Sequence, residues 1–253
     1  FLTNKKGYTF ETLSKTDSFF LTNEDGDYAL FNEDGKQLTE FIFEEHGSFY
    51  GGAVFVKHKD KRQGVINENG KYLVELSESS VYDYYSLFNV VNYSDEIITE
   101  KLVNYKGEII AEGIDFDVES YAYGALFAIT KKDDNYEKVG DAEIVNYAGT
   151  SIGKLSNIDD YDSYSYDGSY VTLISDEKTI LYNVDTAKKI VETDGTYCIS
   201  DSNDKTVILN SCATWGNSGE ENLYKVVKNG KVLYSNTEVS DTPDENWCFA
   251  ISD

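Results

Sequence analysis

Apolar positions along this chain fall in short runs, and the runs recur in a fixed order. At Arg62–Leu76 (RQGVINENGKYLVEL), Val65 and Ile66 lead into Asn67, two residues follow, Gly70 ends the turn, and Tyr72, Leu73 and Val74 form a second run. β-Branched and aromatic runs bounded by Asn and Gly read as two strands joined by a tight turn. Glycine stands where a positive φ costs least. The same unit returns with Gly7, Gly35, Gly107, Gly149 and Gly230, and with Ala187 once in the glycine's place. Asn4, Asn32, Asn67, Asn104, Asn146 and Asn183 stand three residues earlier, and Val227 replaces the asparagine in the last copy. Seven copies at a spacing of roughly 36 to 40 residues are the signature of a repeat protein.

Each repeat holds four predicted strands, of which the last two make the N-x-x-G hairpin. The second strand is the most apolar: 19–22, 53–56, 87–91, 125–130, 170–174, 206–209 and 248–252. Near-continuous apolar runs suit strands covered on both faces. The chain begins where a third strand is expected and stops just after a second one. Pairing head with tail completes one more sheet and removes two exposed edges. The expectation is therefore an all-β fold, a seven-bladed β-propeller of antiparallel four-stranded blades, closed by pairing of the N- and C-terminal strands. As one domain over 1–253, its blades are about 12–40, 41–76, 77–112, 113–155, 156–193, 194–236, and 237–253 with 1–11. Insertions fall at 131–141 and 211–222.

Charge narrows the partners. With 22 basic and 46 acidic residues the net charge is −24, which repels nucleic acid and anionic membrane surfaces. No apolar run reaches the roughly 18 residues of a membrane span, so direct insertion of this domain is not expected. The chain opens on Phe1 without an initiator Met, and a removed signal peptide or membrane anchor is the expected upstream piece. That places the domain outside the cell or on its surface. Cys198 and Cys212 fall in one repeat on neighbouring strands, so a disulfide is geometrically open to them. The other reading is that all three cysteines are small buried hydrophobes.

Phe49–Glu75 resembles the bacterial WG (KWG) repeat. In that family an aromatic-plus-Gly step precedes an apolar strand, a charged turn and Gly-apolar-Ile-Asn/Asp-x-x-Gly-Lys. Phe49, Gly52, Gly64, Ile66, Asn67, Gly70 and Lys71 fall in place. Gln63-Gly64 stands where the family has Trp-Gly, and the other copies lose the pair. The resemblance implies an exported or surface-anchored binding scaffold with no catalytic set to carry over.

Tyrosines crowd the approach to the second strands: Tyr50 (beside Phe49), Tyr82, Tyr84 and Tyr85, Tyr121 and Tyr123, Tyr161, Tyr164 and Tyr166. Such rings stack against sugars and donate hydrogen bonds, or else wedge adjacent blades apart. Tyr50, Tyr85, Tyr123 and Tyr166 are the ligand-binding candidates, with Trp215 in a Gly/Asn-rich loop as an exposed anchor. Asp160, Asp162 and Asp167 offer oxygen ligands near alternate positions, the pattern that wraps calcium. They also read as a solvated acidic turn, and no other cofactor is expected. His46 and His58, in polar surroundings, read as surface residues. No phosphate loop, serine elbow or zinc spacing appears. The expected function is a non-enzymatic scaffold that binds a protein or glycan ligand. The alternatives are a carbohydrate-active enzyme with channel-facing carboxylates and a structural subunit of a surface assembly.

Overall fold

A computed structural model describes residues 9–11, 18–93, 98–113, 116–122, 124–133, 135, 137–164, 169–202, 206–211 and 224–235; the side chains at 9–11, 159–163, 201, 224 and 234 are outside the description. Every helix or strand among the described residues is a strand, and the sheets are antiparallel meanders in chain order. Contacts divide the chain into two compact units.

The first unit holds a seven-stranded sheet of β1 (Thr9–Glu11), β2 (Ser18–Thr22), β3 (Tyr28–Asn32), β4 (Phe43–His46), β5 (Ala53–His58), β6 (Gln63–Asn67) and β7 (Tyr72–Ser77). A four-stranded sheet follows, of β8 (Ser80–Tyr84), β9 (Leu87–Tyr93), β10 (Ile98–Asn104) and β11 (Ile109–Gly113). The larger sheet is two repeats joined by the single residue pair Tyr28↔Phe43. Thr9–Glu11 pairs with β2, so these residues join the first repeat's sheet, whereas the sequence groups them with the last repeat. Phe20, Leu30, Phe43, Phe49, Val54, Val56 and Ile66 pack into one cluster across both repeats. Burying each of these large side chains is worth about 1.5–3 kcal/mol.

The second unit holds three four-stranded sheets, except that Phe116, Lys132–Glu137 and Tyr147–Gly149 belong to the first unit. Their strands are β12 (Phe116–Tyr121), β13 (Leu126–Lys132), β14 (Lys138–Asn146) and β15 (Ser151–Leu155); β16 (Ile158–Tyr164), β17 (Tyr170–Ser175), β18 (Lys178–Asn183) and β19 (Lys188–Asp194); and β20 (Tyr197–Ser202), β21 (Thr206–Ser211), β22 (Tyr224–Lys228) and β23 (Lys231–Ser235). The expected second strands appear as β2, β5, β9, β13, β17 and β21. β17 is buried at all six positions, while the fourth strand β15 has no buried position. The expected strand at 248–252 and both strands of the proposed head-to-tail pairing lie outside the described residues.

The hairpin turns share one chemistry. Asn67 Oδ1 accepts the backbone N–H groups of Asn69 and Lys71, both at 3.0 Å, and Gly70 N–H donates to Asn67 O at 2.9 Å. Asn104 Oδ1 likewise accepts from Lys106 and Glu108. Gly70, Gly107, Gly149 and Gly230 have φ of 75°, 83°, 78° and 73°, and Ala187 takes 49°. A turn followed by a left-handed residue forces one extra residue into the returning strand. The register skips Leu73 between Val65↔Val74 and Ile66↔Tyr72. It skips Ile110, Ile152, Ile190 and Leu233 in the same way. Each bulged residue is aliphatic and lies three positions after the turn's left-handed residue.

These bulges meet the next repeat's turn. A Cβ on Gly107 would lie 3.4 Å from Leu73, one on Gly230 3.6 Å from Ile190 O, and one on Gly149 inside the Ile110 side chain. Gly70 stands in the same relation to Leu38, 3.3 Å from its carbonyl oxygen. The glycine meets the need for a positive φ in each copy; at Gly149, and more mildly at Gly70, close approach to the preceding repeat excludes a side chain as well.

Candidate functional site

Tyr50 ends the loop before β5 and pairs with Ala53 across Gly51 and Gly52, whose φ values of 59° and 86° close a two-residue turn. Only glycine enters that conformation without strain. A Cβ on Gly51 would also lie 2.8 Å from the Tyr105 ring, which itself stacks on Tyr147 at 6.4 Å. In the next repeat Tyr84 pairs with Leu87, and Tyr85 takes a φ of 59°. A tyrosine in that region is strained. The Asp83 carboxylate accepts the Tyr85 backbone N–H and so helps hold it there.

These two turns bring Tyr50 and Tyr85 together, ring centroids 5.2 Å apart and planes at 78°. Asp83 joins them: a Cβ on Gly47 would lie 3.0 Å from Asp83 Oδ2, so the missing side chain leaves that oxygen its room. Asp83 is exposed as a residue; desolvation on the side facing Gly47 and the Tyr rings pushes its carboxyl up to about 6, against the lowering effect of the Tyr85 N–H. Burial raises the Tyr50 phenol, the charges of Asp83 and Tyr85 raise it further, and a hydrogen bond with Ser48 opposes them.

Of the ligand-binding candidates, Tyr50 and Tyr85 therefore converge, and Tyr123, Tyr166 and Trp215 lie outside the described residues. Phe49 and Tyr121 are buried and serve the core, whereas Tyr82 is exposed, its hydroxyl 3.0 Å from that of Tyr93. Asp160 and Asp162 lie in β16 with their side chains undescribed, and Asp167 is outside the described residues. Among the described residues no three His, Cys, Asp or Glu side chains are grouped to hold a metal ion. Cys198 is disulfide-bonded; Cys212 and Cys248 lie outside the described residues. His46 departs from its expected surface role: its ring stacks on Phe20 at 4.1 Å and meets Tyr28 edge-on at 4.7 Å. His58 is half-buried and contacts Asp60 at 2.7 Å. Asp83 was not marked by the sequence, because a lone acid at the end of a strand follows no motif; its spacing of two from Tyr85 is the signal that was present.

No protein-family model matches this chain, and no curated protein matches it. Solved structures resemble it at low similarity. Hsv2 of Kluyveromyces lactis is 12% identical over 87% of this chain and 80% of that one, with a TM-score of 0.31. A eukaryotic initiation factor is 12% identical over 92% and 65%, TM-score 0.38. The β-propeller domain of Cps50 (Swd1) from Myceliophteria thermophila is 8% identical over 81% of each, TM-score 0.29.

Proposed function

We propose that the chain is an exported or cell-surface β-propeller that acts as a non-enzymatic scaffold for a protein or glycan ligand. The observation that carries the binding role is the Tyr50–Tyr85 pair beside Asp83, two half-exposed rings and a partly desolvated carboxyl on neighbouring turns. Binding surfaces concentrate such groups, because tyrosine combines a large apolar face with a polar tip. Secretion to an oxidising compartment accords with the bonded state of Cys198, and Cys212 is the partner we assign to it.

Seven blades and ring closure are part of the same proposal. Leu38, Leu73, Ile110 and Ile190 each carry the turn glycine of the following repeat. Leu233, the bulged residue of the sixth repeat, is 62% exposed. The chain contains one further N-x-x-G copy, Asn4–Gly7; a closed ring would place this hairpin after Leu233 in the last blade in exchange for the pairing of Thr9–Glu11 with β2.

The test is a screen of the purified chain against glycan and protein arrays, repeated with Tyr85→Ala. A hit that the substitution weakens at least tenfold supports the reading; hits indifferent to Tyr50 and Tyr85 overturn it. A second reading, a carbohydrate-active enzyme, draws on Asp83, since a carboxyl near 6 suits a general acid. Turnover of an oligosaccharide abolished by Asp83→Asn would establish that reading in place of the first.

A further inference from the structure

The geometry points to an alkylammonium group, the side chain of a lysine on a protein partner, as the ligand of the Tyr50–Tyr85–Asp83 cluster. This inference rests on the binding reading above and names the chemistry of its ligand.

Three observations carry it. First, the rings stand nearly perpendicular, at 78° and 5.2 Å. An edge-to-face pair makes a corner with two electron-rich walls, and a cation is attracted to such faces. A sugar gains most from a flat platform, which a corner does not offer. Second, the carboxylate that closes the corner has no cation of its own among the described residues, in contrast to Asp60 with Arg62 or Glu44 with Lys57 and Lys61. Its hydrogen-bond donor is a backbone N–H. A partly desolvated carboxylate lacking a countercharge is stabilised when a cation arrives. Third, the chain carries a net charge of −24, which concentrates cations near its surface and repels anions. Gly47 leaves the Asp83 carboxylate its room, since a methyl group there would press on Oδ2.

The test uses the full chain with its tyrosine rings isotopically labelled and observed by NMR at low salt. The probes are tetramethylammonium chloride, the peptide acetyl-Gly-Lys-Gly-amide, and 3,3-dimethylbutanol as a neutral compound of similar shape. The expected result is saturable shifts of the Tyr50 and Tyr85 signals with both cations and none with the alcohol. Asp83→Asn, whose folding is checked by its thermal melt, weakens the cations about tenfold, and Tyr85→Phe, which keeps the ring face, changes them less than threefold. Tighter binding of the lysine peptide than of tetramethylammonium supports a protein source; the reverse order overturns the lysine assignment. Equal response to the alcohol, indifference to Asp83→Asn, or no saturable shift overturns the inference. A neutral glycan that shifts the same signals while cations do nothing overturns it and leaves the binding reading standing.

Discussion

Gly149 lies so close to Ile110, the residue left unpaired in the β10–β11 register, that a methyl group at 149 would overlap the isoleucine side chain. Gly26 has a similar φ of 86°, but nothing lies within 4 Å of where its Cβ would be. The two glycines separate conformation from contact. Gly26→Ala carries only the left-handed penalty, about 1–2 kcal/mol. Gly149→Ala adds overpacking of about 1–3 kcal/mol. Urea denaturation of both variants checks this, and Gly149→Ala is expected to be the more destabilised by at least about 1 kcal/mol.

Asn104 is fully buried and works at both ends of its amide. Its Oδ1 accepts from Lys106 and Glu108, while Nδ2 donates to Ala148 O and Glu108 Oε2, each at 2.8 Å. Asn104→Ala removes all of these hydrogen bonds at once, at roughly 0.5–1.5 kcal/mol each, and should cost about 2–4 kcal/mol. Asn32 accepts from Lys36 in a more exposed turn, and Asn32→Ala should cost about 1 kcal/mol. Chemical denaturation that ranks them the other way would remove the turn-to-turn bond from the account.

Asp83 predicts a pH dependence of definite sign. Its carboxyl is raised from 3.8 to about 6 in the folded chain, so between roughly pH 4 and 6 the folded state binds more protons than the unfolded one. Stability from this group therefore falls as pH rises through that window, and the penalty is complete above it. The Tyr50 phenol that faces it is itself raised above its ordinary value by burial. Asp83→Asn should stabilise the chain at pH 7 by about 1 kcal/mol, a figure discounted because the residue keeps solvent contact, and leave it unchanged below about pH 4. Thermal melts of both proteins at pH 4 and pH 7 measure the difference.

The hairpins were legible because Asn and Gly perform backbone chemistry that tolerates few substitutes, so their spacing survives where the flanking sequence drifts. Two further turns use the same side-chain capping. Asn23 caps Asp25 and Asp27, and Asp133 caps Asn135 and Glu137. Asn23–Gly26 is itself an N-x-x-G between FFLT and YALF, but both turns join a second to a third strand and so fall outside the period of the other copies. The convergence of Tyr50 and Tyr85 followed from their common place before a second strand. Asp83 did not, since its character comes from desolvation by residues distant in sequence, such as the Gly47 segment. His46 appeared polar in a local window because the ring it stacks on, Phe20, is 26 residues away.

Ring closure is tested most directly by a double-mutant cycle on Gly7 and Leu233. Leu233 stands 62% exposed, and truncating a side chain that stays exposed changes stability by no more than about 0.5 kcal/mol. Closure predicts instead that Leu233→Ala costs about 2 kcal/mol, that Gly7→Ala is also destabilising, and that the two couple by about 1 kcal/mol independently of protein concentration. A neutral Leu233→Ala with no coupling would contradict the closed ring.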